Sequence, residues 1–98
     1  MMDLDQITYK TIGCAMKVHS KLGSGFQEVI YQRCLEIEFR EAGLRYGREI
    51  VQPVYYDERT VGERRVDFII EDNVVLEIKA CVDLLDVHLA QAKNYLVA

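Results

Sequence analysis

The run Arg65-Val66-Asp67-Phe68-Ile69-Ile70-Glu71-Asp72-Asn73-Val74-Val75-Leu76-Glu77-Ile78-Lys79-Ala80 decides how this chain is read. Two apolar, β-branched stretches flank a polar turn, which is the pattern of a β-hairpin. With Glu71-Asp72-Asn73 as a three-residue loop, Ile70 opposes Val74, and counting back along both strands sets Asp67 opposite Glu77. Side chains alternate along a strand and directly paired residues share a face, so Asp67, Glu77 and Lys79 are expected to converge. A two-residue loop would put Asp67 and Glu77 on opposite faces. The stretch from Val74 to Ala80 carries apolar residues at both parities, as a strand covered on both sides does. Charges on such a strand are costly unless paired or used.

Two carboxylates at one point repel unless a proton or cation lies between them. Hard oxygen ligands suit Mg2+ or Mn2+, and Mg2+ commonly takes one or two carboxylates together with a substrate phosphate. A nearby lysine can position the attacking water and offset charge on that phosphate. The combination is suited to phosphodiester hydrolysis. Against it, D-x(9)-E-x-K is a weak pattern by itself, and alternating Glu and Lys are common on solvent-facing strands.

Upstream, apolar residues at Leu4, Ile7, Cys14, Val18 and Leu22 predict a helix from about Leu4 to Leu22, with Thr11 breaking its apolar row and Gly23 stopping it. A second helix is expected from about Phe26 to Ala42, with Ser24 or Gly25 at its N-cap, Gln27 and Glu28 in its first turn and Gly43 as its stop. Ile30, Cys34 and Ile37, flanked by Leu35 and Phe39, form its expected core row. Ile50 to Tyr56 reads as a strand, placed at an edge or bulge by Pro53, and Asp57-Glu58-Arg59 as a turn. Downstream, a last helix is expected from about Asp86 to the end, with His88, Gln91, Ala92 and Tyr95 along one side. The order of elements predicts one α+β or three-layer α/β domain over residues 1–98. Val97-Ala98 carries no stop signal, so further C-terminal strands are expected, and a homodimer would cover the exposed edge.

Two more motifs join the hairpin. Gly25-Phe26-Gln27-Glu28-Val29-Ile30-Tyr31 fits G-x-x-E-x-x-Y, and Gln91-Ala92-Lys93-Asn94-Tyr95 fits Q-x-x-x-Y. With Val66-Asp67 and Glu77-Ile78-Lys79 between them, the chain resembles the GxxExxY protein family, assigned to the PD-(D/E)XK nuclease superfamily. Each motif alone is weak; in this order they span Gly25 to Tyr95. The resemblance implies a restriction-endonuclease-like fold, a central mixed sheet flanked by helices, and a Mg2+- or Mn2+-dependent nuclease acting on DNA. It implies that Asp67 and Glu77 bind the metal, that Glu28 completes the metal shell and that Lys79 is the catalytic lysine. Gln91 and Tyr95 match the helix residues that support the lysine and the scissile phosphate. Gly25 and Tyr31 match the family motif without an assigned role, and Val66 replaces the family's usual proline.

The totals fit less directly. A net charge of −4 and a pI near 5.1 do not describe a protein that grips phosphate by a basic surface. Either the acidic residues gather a cation that attracts phosphate, or nucleic acid is not the ligand. A catalytically silent binding module and a regulatory subunit of the same fold are the competing classes. Cys14, Cys34 and Cys81 are odd in number and widely spaced, so they read as core thiols of a reducing compartment. Asp3 and Asp5 interrupt any signal-like start, and no apolar run reaches the ~18 residues of a spanning helix. A cytoplasmic location is expected. His19 and His88 are further candidates for site contact, Arg64 and Arg65 for phosphate contact or for balancing Glu63 and Asp67, Tyr31 for a bond to a carboxylate or for packing, and Tyr55-Tyr56 for strand packing.

Overall fold

The computed structural model describes residues 2–80 and 85–91; at 79, 80 and 85–91 the description is of the backbone. The elements run α1 (Leu4–Leu22), α2 (Glu28–Glu41), β1 (Tyr46–Tyr56), β2 (Arg59–Ile70), β3 (Val74–Ala80) and β4 (Leu85–Gln91).

α1 starts at a reciprocal cap. The Asp3 side chain accepts from the Gln6 N–H at 2.8 Å, and the Gln6 side chain accepts from the Asp3 N–H at 3.0 Å. This satisfies two backbone donors that a helix start otherwise leaves open. Ile7, Thr11, Cys14, Ala15 and Val18 are buried. Thr11, expected to interrupt the row, belongs to it: its hydroxyl donates to the Ile7 carbonyl at 2.7 Å. The polar atom is thereby satisfied within the helix, and the rest of the side chain packs.

α2 begins at Glu28 behind Gln27, and no side chain caps it, so the expected cap at Ser24 or Gly25 does not form. The connection instead turns on Gly23 and Gly25, whose φ values of 78° and 95° suit glycine. Tyr31 fastens this loop. Its hydroxyl donates to the Gly23 carbonyl at 2.8 Å and accepts from the Phe26 N–H at 3.3 Å. The Gly and Tyr of the G-x-x-E-x-x-Y motif thus serve the loop that leads to Glu28. Tyr31→Phe deletes both bonds and keeps the ring. It is expected to cost about 1 kcal/mol, and hence to lower the melting midpoint by several degrees. Thermal unfolding followed by circular dichroism measures this, and an unchanged midpoint rejects it.

The buried face of α2 is Tyr31, Gln32, Leu35, Glu38 and Phe39. The expected core row is therefore corrected: Ile37 is 53% exposed, and Ile30 and Cys34 are only half-buried. The helix is turned toward polar partners. Glu38 faces α1 and pairs with Lys17 at 3.3 Å and Lys21 at 3.6 Å, while Gln32 reaches the sheet. Gly43, with φ 73°, ends the helix as expected, and the Leu44 N–H closes back onto the Phe39 carbonyl at 2.9 Å.

The sheet order is β1-β2-β3-β4, and every described pairing is antiparallel. The parallel strand that a mixed sheet requires is not among the described strands. The architecture is α+β, with Ile7, Val18, Tyr31, Leu35 and Phe39 of the helices packed on Phe68, Ile70, Val74, Leu76 and Ile78 of the sheet. β1 and β2 are longer than expected and close on a two-residue turn, Asp57-Glu58, with φ 47° and 64°. Pro53 lies on β1, an edge among the described strands, as its missing N–H predicts. A larger correction concerns residues 86–91, expected to be helical. They belong to β4, which pairs from Ala80↔Leu85 to Val74↔Gln91. The remainder of the expected helix, with Ala92 and Tyr95, lies outside the described residues. Among the described residues no helix is long and apolar enough to cross a membrane.

Candidate functional site

The β2–β3 loop has three residues, and the register is Ile70↔Val74, Ile69↔Val75 and Phe68↔Leu76. The loop is tied to the entry of β1: the Glu71 N–H donates to the Arg45 carbonyl at 2.8 Å, and the Arg45 N–H donates to the Glu71 carboxylate. Continued one step, this register would set Asp67 opposite Glu77; two steps would set Val66 opposite Ile78. Regular pairing stops before that, at Phe68↔Leu76.

Asp67 occupies the gap. Its Oδ2 accepts from the backbone N–H of Ile78 at 2.7 Å, and its Oδ1 accepts from the Gln32 side-chain amide at 2.8 Å. The carboxylate has taken the place of a ladder carbonyl, and the strands part around it. β1 is distorted at the same level. Glu49 is the residue that the β1–β2 register would set opposite Asp67. It has φ 53° and drops out of the pairing between Arg48↔Phe68 and Ile50↔Val66. Left-handed non-glycine residues are strained, and such strain gathers at functional sites.

Glu77 is next on β3. Its side chain is 17% exposed, and its Oε2 meets Arg64 Nη2 at 2.8 Å. The charge on this covered strand is therefore paired, as its cost demands. The backbone of Lys79 lies two residues on, opposite Asp86, and that of His88 lies opposite Glu77. Gln91 lies opposite Val74 at the loop end of β3, five positions from Lys79. The helical row of His88 and Gln91 is thus replaced by a strand.

Glu28 is the exposed first residue of α2. Glu28, Gln32 and Glu36 recur every four residues and so form one row along the helix. The middle member holds Asp67. The last holds Arg48 at 3.1 Å and the Tyr46 hydroxyl at 3.2 Å. Glu28 therefore stands one turn, about 6 Å of rise, before the residue that touches Asp67. Gln32 and the Arg64–Glu77 pair were not foreseen; the signal for Gln32 was its place in this polar row. His19, Arg65, Tyr55 and Tyr56 are exposed, and Tyr31 serves the loop rather than a carboxylate.

Among the described residues, no three His, Cys, Asp or Glu side chains gather as a metal-ligand group. Asp67 is held by neutral donors and Glu77 by a cation. Away from this centre, burial, aided by Glu38, pushes the Cys14 thiol up. That suits an inert core thiol. Burial, then Glu36, pushes the Tyr46 hydroxyl up, which keeps it a donor.

A family model described as the PD-(D/E)XK nuclease superfamily matches residues 5–98. No curated protein and no solved structure matches the chain.

Proposed function

Since the chain belongs to the PD-(D/E)XK nuclease superfamily, we propose that it is a Mg2+- or Mn2+-dependent nuclease that hydrolyses phosphodiester bonds in DNA. The motif Gly25, Glu28, Tyr31 supports its narrower placement with the GxxExxY proteins. One observation carries the reading: β2 and β3 part around a doubly anchored Asp67, and Glu77 and Lys79 follow on β3 beside the gap.

The donor chemistry fits a hard divalent cation. Asp67, Glu77 and Glu28 offer carboxylate oxygens, the ligand type such ions take. Each Asp67 oxygen accepts one hydrogen bond and keeps lone-pair capacity for another partner. When bound, the cation would draw charge from a phosphate oxygen and acidify a coordinated water. Lys79 would supply a compact positive charge to orient the attacking water and balance the phosphate. A cation at Glu77 would compete with Arg64, which pairs with that carboxylate at 2.8 Å and whose planar guanidinium would suit a phosphate. Gln91, at the loop end of β3, takes no part in this reading.

A second reading is a catalytically silent nucleic-acid-binding module. The Arg64–Glu77 ion pair favours it, because it engages a carboxylate that a metal would need. Metal titration separates the two. Mg2+ or Mn2+ is expected to raise the melting midpoint by binding the folded state, and to support cleavage of single- or double-stranded DNA. Glu77→Ala is expected to abolish both effects. Equal, metal-independent behaviour of the two proteins rejects the nuclease and selects the silent module.

A further inference from the structure

We propose that Gln32 is a positioning residue for the Asp67 carboxylate, fixing one of its oxygens so that the remaining lone pairs face a divalent cation. The inference rests on the metal-dependent reading above. Gln32 is 5% exposed, and a buried primary amide is costly without a partner. Its partner is Asp67 Oδ1 at 2.8 Å, while Oδ2 is held at 2.7 Å by the Ile78 N–H. One donor comes from α2 and the other from β3. Together they fix both oxygens, and with them both side-chain torsions of Asp67.

The character of the donors matters as much as their placement. Both are neutral. A guanidinium or ammonium in place of Gln32 would bind the oxygen more strongly but repel a cation at the same carboxylate. An apolar side chain would leave Asp67 with one anchor. Glu77 shows the contrast, since its partner is the charged Arg64, half-exposed and able to exchange. One carboxylate is thus set in advance by neutral amides, and the other is released from an ion pair. The Gln32–Asp67 bond also ties α2 to the sheet, and Glu28 lies one turn earlier in the same row. Loss of the bond should therefore loosen two expected ligands together.

Partners of ligating carboxylates typically contribute about ten- to hundredfold to metal affinity. Gln32→Met keeps the length and volume of the side chain without its donors. Calorimetric titration of the 98-residue chain with MnCl2 is expected to give a Kd about ten- to hundredfold weaker for Gln32→Met, with the circular dichroism spectrum unchanged. A folded Gln32→Met that binds Mn2+ as the unsubstituted chain does overturns the positioning role and leaves the metal-dependent reading standing. Absence of Mn2+ binding to the unsubstituted chain overturns both. A second measurement needs no substitution. Mg2+ titration followed by nitrogen-15 NMR is expected to shift the Gln32 side-chain amide and the Ile78 backbone amide, but not the Gln6 side-chain amide at the α1 cap. A Gln32 amide unmoved at Mg2+ saturation overturns the proposal, including where Gln32→Met does not fold.

Discussion

Lys79→Ala is expected to slow metal-dependent DNA cleavage by roughly 10²- to 10³-fold, the usual effect of deleting one charge-stabilising group at a reacting centre. Metal binding should persist or tighten, because the substitution removes a positive charge from the neighbourhood of the cation. That split separates Lys79 from the carboxylates, whose loss should take binding and cleavage together. Single-turnover cleavage alongside Mn2+ calorimetry reads both quantities. A variant that cleaves at the original rate removes Lys79 from the mechanism. One that loses metal and cleavage in parallel assigns it a structural part instead.

Asp67→Leu is expected to be the most damaging change to the fold around the site. It strands two donors, the Ile78 N–H and the Gln32 amide, which now end on the carboxylate. An unsatisfied buried donor costs about 1–3 kcal/mol. Asp67 itself is only half-buried, so a total loss of about 2–3 kcal/mol is expected. That is a large share of the ~5–15 kcal/mol that holds a small domain together. Asp67→Asn keeps one acceptor and should fall between. Urea unfolding measures the series, and Mg2+ should stabilise neither variant. Unfolding of Asp67→Leu at the original midpoint would show that the parted strands do not depend on this carboxylate.

The hairpin was legible because its loop length fixes its register, and Val74 to Ala80 carried apolar residues at both parities around Glu77 and Lys79. α1 was legible to its ends because Gly23 stops a strongly periodic run. The face of α2 was not. Glu38 and Gln32 are buried only because Lys17, Lys21 and Asp67 meet them, and those partners are distant in sequence. β4 was misread because Leu85, Val87 and Leu89 alternate while Leu85 and Leu89 also fit a helical turn; so short a run satisfies both periods. Of the site, the hairpin register from Ile70↔Val74 to Phe68↔Leu76 followed from counting. The parting of the strands did not, since it depends on Asp67 competing with a backbone carbonyl for the Ile78 N–H.

β1 is an edge among the described strands, eleven residues long, and Val51, Tyr55 and Tyr56 are exposed along it. Such an edge invites a foreign strand to add to it, the first step toward fibrillar aggregates. Two residues spoil the template. Pro53 presents no N–H, and the left-handed turn at Glu49 breaks the extended line. Only residues 50–52 lie between them, shorter than the usual strand of ~5–6 residues. The kink at Glu49 thus acts in two ways: it accompanies the opening at Asp67, and it keeps the neighbouring edge too short to be copied.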